Sequence, residues 1–420
     1  MLIPYDNALR LAIRFNLGVW FRKAHVLQTP FTTDRWLLQP PPFPINLAED
    51  VGIILKSGFG TQERIPAWLA SQQGSNLTDL LIIGDFATRP GEHYDYHGRQ
   101  LPVHDIVEWM LKKISILSSD PSHPRLLKYS KLAAAIASGD TNLALNLSKS
   151  FGWELDCMKF ISGLELAYHQ LPAKKWYILV DDDTFIVPSS IKALLGNLEH
   201  KTNYYIGNPV GDYKGRFAHG GSSVILSQAS MHRLLGQPKI VAAAHVQSLE
   251  QIWGDKLLAT TLMQVGIYLD ERYSHLFNGE SPEISKLTED RFCAPIVSFH
   301  KLSPSDLLSV GEKYTNSVKP VRWTKLWGID QALSTETVKY SWDYVGRLDE
   351  ETLTVQNIAT AEECVQVCYS HSSMCLAWTW ESKKKACHIS PWIIPGDKAD
   401  GKVSGLNIPR VKRLSSRCKQ

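Results

Sequence analysis

The sequence predicts an α/β domain followed by a small cysteine-stapled module, and two observations carry that expectation. The first is an ordered alternation of short apolar runs and helical segments. "VGIILKSG" (51–58) has the pattern of a buried strand, "IPAWLASQQ" (65–73) that of a helix with Pro66 in its first turn, and "LTDLLIIGD" (77–85) that of a second strand. Strand, helix and strand in that order form a βαβ unit and imply a parallel sheet. The second is that four of the seven cysteines, Cys364, Cys368, Cys375 and Cys387, fall within 24 residues.

The remaining elements follow in order. "QPPPFPIN" (39–46) is excluded from helix and central strand, and reads as a stiff extended linker. Residues 101–150 read as largely helical, broken by "SSDPSHP" (118–124). "DCMKFISGLELAYHQL" (156–171) carries apolar residues at helical spacing, with Pro172 after it. "WYILV" (176–180), "NYYIGNPVG" (203–211) and "SSVILS" (222–227) read as strands, with Ser227 capping a following helix. "WGDKLLATTLMQVGI" (253–267) reads as a helix and "APIVSFHKL" (294–302) as a strand. The pattern changes near 335–345. "SWDYVGRLDEETLTV" is strand-like, and Thr360-Ala361-Glu362-Glu363 forms a capping box that opens a short helix. The expected division is an N-terminal segment and linker (1–45), a main domain (46–340) and a tail module (341–420).

Composition narrows the function classes. A hydrophobic fraction of 44% over 420 residues suffices for a substantial core, and a net charge of +3 implies no nucleic-acid or other polyanion surface. "ALRLAIRFNLGVWFRK" (8–23) is interrupted by Arg10, Arg14 and Asn16. It falls short of the roughly 20 apolar residues that span a bilayer and reads as an amphipathic helix, leaving open an anchor upstream. Clustered cysteines and the sequons at Asn76 and Asn146 point to an oxidising compartment: the Golgi or ER lumen, or secretion.

Asp181, Asp182 and Asp183 directly follow an apolar run, where ligands of open α/β sheets bind. Two like charges 4 Å apart repel by about 4 kcal/mol at an effective dielectric near 20. A hard divalent cation removes that penalty. A solvated acidic turn or helix cap is the other reading of the triplet alone. Phosphatases of the haloacid-dehalogenase type also place aspartates after a strand, but their Asp-x-Asp-x-Thr spacing fails here by one residue, because Thr184 directly follows Asp183.

Taken in order, "EDVGIILKSG…ERIPAWL…LLIIGD", "WYILVDDDTFI", "FAHGGSSVILS", "WGDKLLATTLMQVGI" and "IVSFHKL" resemble the Fringe-like and core-1 β1,3-galactosyltransferase-like glycosyltransferases of family 31, over about 46–305. The resemblance implies a Rossmann-like GT-A fold. It also implies a UDP-sugar donor, Mn²⁺ or Mg²⁺, a glycan or glycoprotein acceptor, and inverting transfer of a hexose or N-acetylhexosamine, with a β1,3 linkage. Asp183 would be the principal metal ligand, joined by Asp181 and His300. Asp181 and Asp182 would lie near the ribose and metal-bound water, with Lys56, Arg64 and Asp85 on the nucleotide. Gly220 and Gly221 would allow close approach of the donor, and Asp255 would be the catalytic base. The family more often has Ala-Gly where this chain has Ser222-Ser223. Taken alone, His300 also reads as a packed strand histidine and Asp255 as an acid favouring a helix dipole. A carbohydrate- or protein-binding protein with an inactive transferase domain is the alternative function.

The tail resembles a PAN/apple module, commonly a binder of protein or carbohydrate. That resemblance implies the nested pairing Cys364–Cys387 and Cys368–Cys375, one of the three pairings four cysteines allow.

Overall fold

The computed structural model describes residues 39–114, 122–212, 215–326 and 338–418. The amphipathic stretch 8–23, most of the segment 1–45 and part of "SSDPSHP" lie outside the described residues. Among those described, no helix is long and apolar enough to cross a membrane. The proline-rich stretch is not a free linker: Phe43 N donates to Gly196 O (2.9 Å), and Ile45 is buried.

The main sheet has six strands: β1 (Val51–Lys56), β2 (Leu80–Gly84), β3 (Val103–Asp105), β4 (Trp176–Asp181), β5 (Tyr205–Gly207) and β6 (Val224–Ser227). Their order is β3-β2-β1-β4-β6-β5, with β1 to β4 mutually parallel and β6 antiparallel to both neighbours. The chain runs outward from β1 through β2 to β3 and then returns to the other side of β1 as β4. The order therefore reverses between β1 and β4, and that reversal opens a crevice beyond their carboxyl ends. The register puts Lys56 opposite Asp181 at this point.

Six helices matter for the site and the tail: α1 (Arg64–Gln72), α2 (Thr141–Asp156), α3 (Lys159–Gln170), α4 (Gly254–Gln264), α5 (Ala361–Ser370) and α6 (Ile408–Arg417). From Lys159 to Ala167 every residue of α3 is buried, Lys159 and Glu165 included. Helical spacing alone suggests one apolar face there; both charged groups are buried because each has a partner. Glu165 meets Lys113 (2.5 Å) and His245 (2.9 Å).

Local expectations diverge from the structure in a few places. The stretch 101–150 contains β3, which pairs with β2, and the hairpin Tyr94–Tyr96/Arg99–Leu101 precedes it. "APIVSFHKL" forms only the two-residue strand Ser298–Phe299. Thr360 caps α5 by accepting from Glu363 N, but the Glu363 carboxylate reaches Ala359 N, not Thr360 N, so the box is not reciprocal.

The tail is a five-stranded antiparallel sheet of β7 (Val338–Asp343), β8 (Leu353–Gln356), β9 (Ala377–Glu381), β10 (Ala386–Ser390) and β11 (Asp397–Leu406), in the order β7-β11-β9-β10-β8. Disulfides Cys364–Cys387 and Cys368–Cys375 tie α5 to it. A third, Cys293–Cys418, joins the tail to the main domain. Beside it Leu287–Thr288 pairs with Trp392–Ile393, and Glu289 binds Arg410 (2.9 Å) and Arg417 (2.7 Å). Ile393, Leu406, Val411 and Leu414 belong to the same continuous apolar core as the six-stranded sheet.

Candidate active site

The crevice between β1 and β4 holds a cleft of about 420 Å³. Lys56, Arg64, Asp85, Asp181, Asp182, Asp183, Gly220, Gly221, Asp255 and His300 all line it. They come from strand ends, two helix starts and two loops, a gathering that only the fold can achieve.

The three aspartates diverge in role. Asp182 is buried; its Oδ2 accepts from Ser57 Oγ and Thr61 Oγ1, both at 2.6 Å. Burial raises its pKa to about 6 against the pull of those hydroxyls and of Arg64. It therefore holds the loop after β1 in place. Asp181 Oδ1 lies 2.7 Å from Lys56 Nζ, and Asp183 Oδ1 lies 3.3 Å from His300 Nε2. Each of these buried oxygens thus faces one basic side chain.

Asp181, Asp183 and His300 each offer one ligand atom, all within 4.8 Å of one another. Two carboxylates and an imidazole suit a divalent cation that favours oxygen and tolerates nitrogen. These two carboxylate oxygens, facing Lys56 and His300, are where such an ion would add a ligand contact. Gly221 is needed beside them, because a Cβ there would overlap His300 Nε2. His300 Nδ1 faces Gly279 O at 3.2 Å, which orients the ring and leaves Nε2 toward Asp183. Asp183 is held below the usual carboxylate range: burial opposes this, and His300 and Arg64 outweigh it.

The basic residues do different work. Lys56 is fully enclosed between Asp156 (2.9 Å) and Asp181, with its ammonium 4.3 Å from the Phe160 ring centre. Burial would lower its pKa, but the two carboxylates outweigh burial and raise it, so it stays charged. Arg64 Nη1 is 3.4 Å from both Asp182 and Asp183. Asp85 is committed to the protein: it accepts from Phe59 N (2.8 Å) and pairs with Lys159 (3.0 Å).

Asp255 stands in the first turn of α4. Its Oδ2 accepts from Gly220 N (3.0 Å) and its Oδ1 from Lys256 N (2.8 Å). Burial raises its pKa despite these two donors. Both oxygens retain lone pairs, so the group can still receive a proton.

His219 is a cleft residue with no role in the sequence reading, although it sits in the quoted "FAHGG". Asn208 Nδ2 donates to Ser222 Oγ (3.2 Å), and Ser222 Oγ lies 2.9 Å from His219 Nδ1. Ser222 is buried, and its hydroxyl links the Asn208 amide to the His219 ring. The serine in place of alanine thus gives the ring a polar contact that alanine would lack. Ser223 takes φ 72° and ψ 142°, a region glycine enters freely. Ser57, Thr61, Asp156, Lys159 and Phe160 are also site residues with no distinctive sequence spacing; only their place beside the strand ends marks them.

Residues 154–333 match the family model described as Fringe-like, and residues 343–397 match that of the PAN domain. The Fringe-like family is one of glycosyltransferases, whose reaction implies a sugar donor and a glycan acceptor. The cation-fitting triad and the helix-start aspartate lie within the first match, so the chain matches a Fringe-like domain over 154–333 followed by a PAN domain over 343–397.

Proposed function

We propose that the protein is an inverting glycosyltransferase that moves a hexose or N-acetylhexosamine from a UDP-sugar to a hydroxyl of a glycan or glycoprotein, forming a β1,3 linkage in the secretory pathway. Residues 46–340 would be the transferase unit and 341–420 a module binding protein or carbohydrate. The observation that carries the reading is the placement of Asp255 in the same cleft as the Asp181–Asp183–His300 triad.

Asp181, Asp183 and His300 would hold Mn²⁺ or Mg²⁺. When bound, that ion supplies charge neutralisation to the leaving diphosphate. Lys56 and Arg64 bring further positive charge to the same end of the cleft. Asp255 accepts the proton of the acceptor hydroxyl as its oxygen attacks the anomeric carbon. Its raised pKa favours that transfer, because a base nearer the working pH shares the proton better. Gly220 N and Lys256 N fix the carboxylate's orientation, and no covalent enzyme intermediate is needed for a single inverting displacement. The test is a screen of UDP-sugars for Mn²⁺-dependent binding and hydrolysis. Cleavage of simple phosphate esters, or nucleotide binding with no turnover of any UDP-sugar, would overturn the reading.

A further inference from the structure

Trp153, Ile252 and Trp253 are 58%, 57% and 61% exposed, and all three line the cleft that contains Asp255. They reach it from two segments. Trp153 lies on α2 one turn before Cys157, so the two residues share a helical face. Ile252 and Trp253 immediately precede Gly254, where α4 begins. A Cβ at Gly254 would come 2.9 Å from Cys157 Cα and overlap the Phe160 ring. Glycine therefore lets α4 start hard against the end of α2, and this contact brings both indoles to one rim.

Large apolar side chains left in water at a cleft mouth mark a contact surface. The occupant is set by the neighbouring chemistry. Trp253 and Asp255 line the same cleft, so a molecule whose hydroxyl reaches that carboxylate has the rim within reach. A pyranose ring presents a face of C–H groups to pack on an indole, while its hydroxyls project at the edge. A lipid chain fits poorly, because the apolar rim is small and flanked by Lys149 and Asp156.

We propose that Trp153 and Trp253, with Ile252 beside them, form a stacking platform for the ring of the acceptor sugar whose hydroxyl is presented to Asp255. This rests on the transferase reading above. It assigns acceptor recognition to the rim between α2 and α4, apart from the donor end of the cleft at β1 and β4.

The experiment uses the full chain, the Trp153→Ala and Trp253→Ala variants, and methyl glycosides of galactose, N-acetylgalactosamine, N-acetylglucosamine and fucose as acceptors. With the UDP-sugar that the wild type turns over, each variant should raise acceptor KM roughly tenfold. UDP-sugar KM should change less than about twofold, and Trp253→Phe should recover part of the loss. An unchanged acceptor KM, or equal losses for donor and acceptor, overturns the platform. So does a KM for octyl glycosides whose improvement over the methyl series disappears in the variants, which would make the rim a lipid site. If no UDP-sugar is turned over, the transferase reading fails separately. Saturation-transfer NMR of the same methyl glycosides then decides: binding lost in both alanine variants supports the platform, and no binding to wild type overturns it.

Discussion

Lys56 Nζ lies 2.7 Å from Asp181 Oδ1, and the two residues are register partners at the carboxyl ends of β1 and β4. Parallel pairing alone therefore brings a buried ammonium to a carboxylate that faces the cleft. Lys56→Met would leave Asp156 and Asp181 without their shared counter-ion. Removing one partner of a buried pair costs about 3–5 kcal/mol, and both carboxylates are partly solvated, so a loss of about 2–3 kcal/mol is expected. Urea unfolding measures it; an unchanged midpoint would mean the ion pair contributes nothing.

Asp183→Ala and Asp255→Asn should fail differently. The first removes a proposed metal ligand, and Mn²⁺-dependent UDP binding should collapse with the chemistry. The second keeps size and hydrogen bonding but accepts a proton poorly. UDP and Mn²⁺ should bind it almost normally while transfer falls by about 10²–10⁴-fold. Calorimetric UDP titrations with and without Mn²⁺, beside transfer rates, separate the two. Near-normal transfer by Asp255→Asn would remove Asp255 as the base.

Gly221→Ala would place a methyl group on His300 Nε2. The ring must turn aside, and Mn²⁺ affinity should fall by about 10–100-fold, as when other ligand-orienting contacts are lost. Mn²⁺ titration followed by electron paramagnetic resonance checks this. A thermal melt should show the fold intact.

Asp105 predicts a pH effect away from the cleft. It accepts from Val107 N (3.1 Å), Glu108 N (3.0 Å) and Tyr129 OH (2.8 Å), and burial, opposed by these donors, raises its pKa from 3.8 to about 6. Between those values the native state holds a proton that the unfolded chain has lost. This contribution is complete below the unfolded pKa and is lost as pH rises through about 6, by at most about 3 kcal/mol. Asp105→Asn keeps the cap and should flatten that slope, leaving the protein more stable near neutrality. Urea melts at about pH 4, 5 and 7 test it; an unchanged slope rules out Asp105 as its source.

Cys293→Ser opens a bridge that spans 125 residues. The chain-entropy account puts the loss at about 4–5 kcal/mol. Truncation before β7 should cost more, because it also uncovers Leu287 and removes Ile393, Leu406, Val411 and Leu414 from the shared core. A truncated protein that stays soluble with an unchanged melting temperature would contradict this.

Much of the site was legible because its residues sit at strand ends and helix starts, which apolar runs announce. The acidic triplet at the end of β4 is of this kind, whereas Asp255, in the first turn of α4, was singled out by the family resemblance. Asp182 shows the limit: in sequence it is equivalent to its neighbours, yet alternation along the chain turns it into the interior toward Ser57 and Thr61. Asp156 and Lys159 fall in one helical pattern in the sequence but end one helix and begin the next in the structure, and nothing in that pattern marks Lys159 as buried until Asp85 reaches it. Residues 294–302 read as a long strand because they are apolar, but most of them meet the core as irregular backbone. The joint between the two domains was not legible, since cysteine spacing in the tail says nothing about a partner 125 residues upstream.

That bridge has a consequence for biogenesis. During synthesis the main domain emerges first, and in an oxidising compartment Cys293 would be exposed as a thiol before Cys418 exists. Cys364, Cys368, Cys375 and Cys387 all appear in the interval, each an available wrong partner. The bridge can close only after the ribosome has delivered the tail. The covalent closure of the main domain therefore waits on the last residues of the module behind it.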